Sequence, residues 1–241
     1  MEAANARLNQ IYYPDNIVLI SMMTGEQLAK AGTPGRITLG MIAPDFEAKT
    51  THGKVKLSDY KGKWVMLFSH PGDFTPVCTT EFIALAEKHE EFRKRGVELL
   101  GLSVDSLPSH IAWVRDIEQN FGVHIPFPII ADLDTSVSRL YGMIHPNISH
   151  ESPIRSLFIL DPNRVVKMSF FYPAGVGRSL DEILRIIDAL QVVDRERVAT
   201  PANWKPGDPV LIGPPHTQAA AEDRMKEGYD CKDWYVCYKK Q

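Results

Sequence analysis

The sequence is poor in cysteine and has no long apolar run. Three of its 241 residues are cysteines, an odd number and far too few for a secreted fold built on disulfides. No apolar stretch approaches the roughly 20 residues that cross a membrane as a helix. These absences exclude a disulfide scaffold and a membrane-spanning protein, and they make a catalytic or redox role worth testing for the cysteines.

An excess of positive charge is missing as well. The 27 basic and 30 acidic residues give a net charge of −3, which provides no general attraction for nucleic acid or an anionic membrane surface. Small molecules or proteins are therefore the expected partners. The apolar stretch at 17–23 follows Pro14 and Asp15 instead of a cationic segment, so we expect no secretory signal and a cytoplasmic location.

Short apolar runs alternate with helical periodicity from Trp64 onward, which is typical of an α/β domain. The runs that read as strands are 64–68, 97–104, 126–131, 156–160 and 165–172. Between and after them, one predicted helix ends at Gly96, one opens at 105–108 and ends near Gly122, a short one covers 136–142, and one follows the capping box at 179–182. This order predicts a thioredoxin-like fold, with a central mixed sheet, mostly parallel and ending in a hairpin, between helices on both faces.

The chain divides into an N-terminal extension of unknown role (1–35), a thioredoxin-like domain (36–195) and a C-terminal arm (196–241). Residues 46–60 suit a small antiparallel hairpin that turns at His52 and Gly53. Prolines and glycines beyond residue 193 predict an extended, mostly irregular arm. Because the arm also carries Trp204, Trp234 and Tyr235, apolar surface that disordered tails usually lack, we expect it to pack on this subunit or on the partner in a dimer.

Cys78 lies where a polar loop is predicted to become a helix. Thr75 and Pro76 suit the N-cap and the first helical position, which puts Cys78 in the first turn. The helix dipole and the free N–H groups there favour thiolate over thiol. The alternative is a buried cysteine that fills a small hole. The loop at 70–73 follows a central strand, at the end where α/β folds bind ligands, and this favours a reactive cysteine.

Pro71, Thr75 and Cys78 stand in a P-x-x-x-T-x-x-C frame. The whole stretch SHPGDFTPVCTTEF at 69–82 resembles the active-site loop of peroxiredoxins, in particular the subfamily of the long-armed archaeal enzymes and the one-cysteine vertebrate enzymes. The likeness extends over residues 40–241, whereas residues 1–35 have no counterpart in the family pattern. It implies a thiol peroxidase that reduces hydrogen peroxide and alkyl hydroperoxides without metal, haem or flavin.

The resemblance also implies roles for individual residues. Cys78 would be the peroxidatic nucleophile, whose thiolate attacks a peroxide oxygen and becomes sulfenic acid. Thr75 would hold the thiolate and the incoming oxygen, and Pro71 would shield the sulfur from water. Arg155 matches the active-site arginine that stabilises the thiolate and the leaving oxygen, and Arg178 matches a second, supporting arginine.

Two further polar residues lie close to this loop in the sequence. His70 could line the peroxide pocket, and Glu81 could orient an arginine. Both could equally be ordinary polar residues at the end of a helix, and the sequence leaves the choice open.

Cys231 and Cys237 lie in the arm, in the heptapeptide CKDWYVC. Their spacing is neither C-x-x-C nor that of a zinc site with a second pair. A thiol on an aromatic-rich arm could condense with the sulfenic acid, although a coincidental pair is possible. The two-cysteine tail resembles that of the archaeal enzymes, which implies a resolving cysteine from the partner subunit and favours Cys237, with Cys231 able to exchange.

The same likeness implies a homodimer assembled into a ring, a decamer, and a thioredoxin- or glutaredoxin-like protein as reductant. Two rival functions remain. A disulfide oxidoreductase on this fold requires a C-x-x-C pair, but Thr80 and Glu81 stand where the second cysteine would be. An oligomeric holdase or redox-sensing ring protein would use its cysteines only as sensors. No G-x-S-x-G elbow occurs, so we expect no phospholipase activity.

Overall fold

The structure is a computed structural model that describes residues 37–240, and expectations for residues 1–35 lie outside the described part. A seven-stranded sheet has the order β2-β1-β5-β4-β3-β6-β7. Its strands are β1 (Glu47–Thr50), β2 (Gly53–Lys56), β3 (Trp64–Ser69), β4 (Val97–Ser103), β5 (Ile129–Ala131), β6 (Arg155–Leu160) and β7 (Val166–Tyr172). The predicted α/β fold with a mixed central sheet is therefore confirmed.

The sheet is less parallel than expected. Only the pairings of β3 with β4 and of β4 with β5 are parallel, whereas β6 lies antiparallel to β3 and β7 antiparallel to β6. The β1–β2 hairpin, which turns at 51–52, joins the sheet through the antiparallel pair Thr50 and Ile130. The expectation of a mostly parallel sheet is therefore wrong. Apolar runs in the sequence predict where strands occur, but they do not show which strands become neighbours.

Side chains that alternate along the central strands supply a core on each face of the sheet. In β3, Met66 and Phe68 belong to one buried cluster, while Val65 and Leu67 belong to the other. The first cluster is covered by α1 (Pro76–Glu87), α2 (His89–Lys94), α3 (Leu107–Phe121) and α5 (Leu180–Glu196), and the second by α4 (Ser136–Leu140) and the 3-10 helix Leu57–Tyr60. Helices thus lie on both faces, as the sequence predicts.

Two element boundaries differ from the prediction. The helix expected to run to Gly96 is two helices, because Lys88 leaves helical geometry (φ −92°, ψ 4°) between α1 and α2. No glycine or proline marks this break in the sequence, so the pattern gave no signal of it. The strand expected at 126–131 contains only Ile129–Ala131, since Pro126 and Pro128 have no N–H to donate to a neighbouring strand.

The arm is more ordered than predicted. It contains β8 (Val210–Leu211), α6 (Gln218–Arg224), β9 (Asp230–Asp233) and β10 (Val236–Lys239), and the three strands form an antiparallel sheet in the order β8-β10-β9. Most arm residues lie outside these elements, in line with the expectation of a mostly irregular arm, but the sequence did not predict the short strands and the helix. Trp204, only 1% exposed, packs with Ala189 and Val192 of α5 and with Val210.

Packing of Trp204 gives a direct prediction about stability. Trp204→Ala should lower the free energy of unfolding by about 3–5 kcal/mol, because it leaves a cavity between α5 and the arm. Trp234, in the same arm but 42% exposed, provides the matched control, and Trp234→Ala should change stability by no more than about 0.5 kcal/mol. Urea unfolding followed by circular dichroism measures both. Equal, small losses would show that the arm does not contribute to the folded core.

Within residues 37–240, no helix combines the length and the apolar character needed to cross a membrane.

Candidate active site

Cys78 lies in the first turn of α1 and is fully buried, with 0% of its surface exposed. Thr75 is the N-cap residue and Pro76 the first helical residue. The Thr75 hydroxyl does not cap the helix; it donates instead to the carbonyl oxygen of Gly72, at 2.9 Å. The Thr75 side chain therefore stabilises the loop before α1, and its hydroxyl does not accept from the backbone N–H groups of the first helical turn.

Sheet topology brings Arg155 to Cys78. Because β6 is antiparallel to β3, β6 begins at the edge where β3 ends, and Arg155 is its first residue. Arg155 is 2% exposed, and its Nη1 donates to the sulfur of Cys78 at 3.3 Å. A buried guanidinium at this distance stabilises negative charge on the sulfur.

The remaining donors of Arg155 are held by protein acceptors. Nη1 also donates to Oε2 of Glu81 at 2.7 Å. Nε and Nη2 both donate to the carbonyl oxygen of Ala174, at 2.9 and 2.7 Å. Ala174 lies in the loop after β7, which ends at the same edge of the sheet because Tyr172 pairs with Arg155. This fork fixes the plane of the guanidinium next to Cys78.

Glu81 is a buried carboxylate shared by two arginines. Its oxygens accept from Arg155 and from Nε, Nη2 and the backbone N–H of Arg178, each at 2.7–2.8 Å. Burial alone would raise the pKa of Glu81, but the charges and hydrogen bonds of Arg178 and Arg155 outweigh burial and hold the pKa below its ordinary value. Two buried cations therefore surround one anion, and the cluster retains net positive charge beside Cys78.

Arg178 anchors this cluster to the sheet. Its Nη1 donates to the carbonyl oxygens of Ser69 and Ser156, at 3.1 and 3.0 Å, and its guanidinium lies over the ring of Phe68, 5.1 Å from the centroid. Ser69 ends β3 and Ser156 is the second residue of β6. The arrangement supports the predicted supporting position of Arg178, and it gives Glu81 the arginine-orienting position that the sequence left open.

His70 lies deeper than a pocket-lining residue requires. It is fully buried, its Nε2 lies 3.0 Å from Oδ1 of Asp73, and its ring stacks on Trp113 and meets the ring of Phe82 edge-on. These contacts do not include Cys78 or Arg155, and the peroxide-pocket role of His70 stays a prediction. Pro71 is half-buried, and its shielding role likewise stays a prediction.

The two arm cysteines are bonded to each other. Cys231 in β9 and Cys237 in β10 face one another across the strand pair and form a disulfide, while Cys78 is a free thiol. In this state neither arm sulfur is a thiol that could react with Cys78. The sequence could not show this pairing, because six residues of separation suit a hairpin only if the intervening segment turns.

Three site features escaped sequence reasoning. The carbonyl of Ala174 acts through the backbone, so no side chain marks it. Asp73 and His110 are buried together in a polar network beneath the loop. Asp73 lies within the stretch 69–82 that carries the family resemblance, but His110 lies 37 positions away, and a lone histidine in an amphipathic helix carries no signal of its own.

The fold and the site together are those of a protein that carries out redox chemistry at a cysteine. Cys78 is a free, buried thiol at the start of a helix, and the guanidinium of Arg155 is held beside it. The AhpC/TSA family matches residues 39–169, and the C-terminal domain of 1-Cys peroxiredoxin matches residues 189–228. Peroxiredoxin 2 of Caldanaerobacter subterraneus subsp. tengcongensis is 55% identical over 204 residues, covering 84% of this chain and 92% of that protein. Peroxiredoxin 2 of Thermoplasma acidophilum is 52% identical over 202 residues, covering 84% and 100%.

Solved structures agree. A mutant of the peroxiredoxin 6 of Arenicola marina superposes with a TM-score of 0.75 at 39% identity, covering 86% of this chain and 99% of that one. A yeast mitochondrial 1-Cys peroxiredoxin gives a TM-score of 0.75 at 41% identity, covering 86% and 100%. The chain therefore belongs to the peroxiredoxin family, in its peroxiredoxin 6-like subfamily, and is a peroxidase. The family resemblance, the fold and the enzyme class expected from the sequence are confirmed.

Proposed function

We propose that Cys78 is the peroxidatic nucleophile of this peroxidase and that it reduces hydrogen peroxide and alkyl hydroperoxides. The observation that carries the proposal is the 3.3 Å contact from Arg155 to the sulfur of Cys78. The thiolate bonds to the terminal peroxide oxygen, which keeps its proton and becomes part of cysteine sulfenic acid. The other oxygen leaves with the electron pair of the broken O–O bond and takes a proton from water, which releases water or an alcohol.

The surrounding residues divide this work. Arg155 stabilises the thiolate and then the charge that develops on the leaving oxygen. Glu81 and Arg178 hold Arg155 in place, as their shared hydrogen bonds support. The hydroxyl of Thr75 keeps donating to the Gly72 carbonyl, and its oxygen accepts a hydrogen bond from the incoming peroxide. Pro71 limits the access of water to the sulfur.

Recycling requires a second thiol, and the arm disulfide suggests an order of events. Cys237 of the partner subunit condenses with the sulfenic acid of Cys78, which forms a disulfide and releases water. Cys231 then attacks the sulfur of Cys237, so Cys78 leaves as a thiolate and the Cys231–Cys237 disulfide remains. A thioredoxin- or glutaredoxin-like protein supplies two electrons to reduce it. The yeast relative is described with a thiol resolving mechanism via glutathione/thioredoxin systems, which supports a donor of this class.

Transfer between subunits makes a homodimer the minimal functional unit, and family likeness favours dimers assembled into a decameric ring in the cytoplasm. The domain limits drawn from the sequence, with an arm that packs in the dimer, belong to the same proposal. The burial of Trp204 against α5 supports an arm that is anchored at its base on its own subunit.

The relay predicts different products for the two single arm variants. Fully reduced protein receives less than one equivalent of hydrogen peroxide, and its intact mass is measured without reductant. Cys231→Ser should trap a covalent dimer linked through Cys78 and Cys237, because the exchange step is blocked. Cys237→Ser should form no such dimer and should keep Cys78 as sulfenic acid. The parent protein should collect the Cys231–Cys237 disulfide, at a mass two hydrogen atoms below that of the reduced chain.

A covalent dimer in Cys237→Ser but not in Cys231→Ser would reverse the order of the two arm cysteines. If neither variant formed the covalent dimer while peroxide was still consumed, the arm cysteines would take no part in the cycle. The sulfenic acid would then be reduced directly by an external thiol.

A further inference from the structure

A buried carboxylate beneath the loop lies between two histidines. Oδ2 of Asp73 lies 2.8 Å from Nδ1 of His110, and Oδ1 of Asp73 lies 3.0 Å from Nε2 of His70. The hydroxyl of Ser109 donates to Oδ2 at 2.8 Å. His110 lies in the first turn of α3, and its Nε2 lies 3.1 Å from the carbonyl oxygen of Ile130 in β5. Its side chain therefore connects three elements: the loop after β3, α3 and β5.

His110 makes hydrogen bonds through both of its ring nitrogens. The Ile130 carbonyl can only accept, so Nε2 of His110 carries a proton. The opposite ring nitrogen faces a carboxylate. Burial alone would raise the pKa of Asp73, but the hydrogen bonds from His110 and His70 outweigh burial and hold that pKa well below its ordinary value. Both ring nitrogens of His110 are therefore held by acceptors, one in the loop and one in β5.

His70 completes the network as a neutral group. Burial lowers the pKa of His70, more than the hydrogen bond to Asp73 raises it. Its proton therefore lies on Nε2, towards Asp73, and its Nδ1 is buried with no hydrogen-bond partner among residues 37–240. The second carboxylate nearby, Asp105, accepts from the backbone N–H of Asp73 at 3.0 Å and from the hydroxyl of Ser103 at 2.6 Å. Asp73 is thus anchored by both its backbone and its side chain.

The residue after Asp73 shows why the loop needs an anchor. Phe74 has a left-handed backbone conformation with φ of +55°, which is unfavourable for a residue with a side chain and persists only where the surroundings impose it. Phe74 is itself mostly exposed, so its side chain packs little. The hydrogen bonds of Asp73 on one side and of Thr75 with Gly72 on the other are what hold this turn, and the turn sets where Thr75 and Cys78 begin α1.

We propose that Asp73 and His110 form a buried hydrogen-bonded latch that fixes the loop of residues 70–75 on α3 in the conformation that receives peroxide, so that His110 is a positioning residue for the reaction at Cys78. The inference rests on the proposed role of Cys78. The latch acts through Asp73 and makes no contact with the sulfur of Cys78. Its loss should therefore slow the reaction of Cys78 with peroxide but leave the reaction of the thiolate with other reagents nearly unchanged.

The test measures two reactions of Cys78, oxidation by peroxide and alkylation, in two variants. His110→Asn keeps a neutral donor near Asp73, and Asp73→Asn removes the carboxylate. The rate of Cys78 oxidation by hydrogen peroxide, followed by stopped-flow tryptophan fluorescence, should fall about 10- to 100-fold in each, because small misplacements cost this much. Alkylation of Cys78 by iodoacetamide, which reports thiolate and access, should stay within about threefold. The double variant should lose little more than either single one, as expected for residues that act as a pair.

His124→Asn is the matched control, since His124 also faces a carboxylate of α3, Glu118, but at the surface; it should leave both rates unchanged. Ser109→Ala gives a milder version of the defect if His110→Asn does not fold. Unchanged peroxide rates in folded variants, or equal losses in both reactions, would each overturn the latch. A Cys78→Ser variant that still reduces peroxide would instead overturn the proposed function beneath it.

Discussion

Cys78→Ser should abolish peroxide turnover, with a loss on the order of 10⁴-fold or more in the rate of peroxide consumption by the reduced protein. A serine hydroxyl stays protonated beside Arg155, and oxygen cannot form the sulfenic acid on which the cycle depends. The substitution removes little volume from the buried site, so the fold should survive. Peroxide consumption with a thiol reductant in excess measures the effect.

Control variants distinguish loss of the nucleophile from loss of recycling. Cys231→Ser and Cys237→Ser keep Cys78, and each should still consume one equivalent of peroxide per chain in a single turnover, even if multiple turnover fails. A Cys78→Ser protein that retains substantial activity would show that the reaction occurs elsewhere. Client protection that survives Cys78→Ser, together with little peroxide consumption by the reduced parent protein, would instead favour the holdase function.

Sequence reasoning reached the nucleophile because its signal is local. Pro71, Thr75 and Cys78 lie within eight positions, and the turn into α1 can be deduced from the order of Thr75 and Pro76 alone. The partners of Cys78 are not local: Arg155 is 77 positions away, and only the antiparallel return of β6 against β3 brings it to the sulfur. Family likeness pointed to Arg155, but the geometry that makes it useful follows from strand order.

Hidden polar partners were harder to find for a physical reason. Burial of Glu81 is possible only because Arg155 and Arg178 approach from two later segments, and burial of Asp73 only because His110 and Ser109 approach from α3. In the sequence each carboxylate looks like a solvated residue near a helix start. Neighbouring residues carry the pattern that predicts a helix, whereas compensation of a buried charge depends on contacts between distant segments.

Arg155→Met should lower the rate of Cys78 oxidation by about 10²- to 10³-fold, the usual cost of removing one preorganised donor at a site of developing charge. Methionine keeps much of the side-chain volume but offers nothing to the sulfur or to the leaving oxygen. Glu81 retains its bonds to Arg178, so the buried carboxylate is not left alone and the fold should survive. Rapid-mixing measurements with substoichiometric protein and hydrogen peroxide give the rate.

Two further variants test whether charge or geometry matters at this position. Arg155→Lys restores a cation but cannot donate at once to Cys78, Glu81 and the Ala174 carbonyl, so its rate should lie between those of the methionine variant and the parent. Arg95→Met removes another arginine paired with carboxylates, Asp188 and Glu91, at the end of α2, and should leave the rate unchanged. A lysine variant as fast as the parent would mean that positive charge alone suffices. A methionine variant as fast as the parent would mean that Arg155 organises the fold at this edge of the sheet without taking part in the reaction.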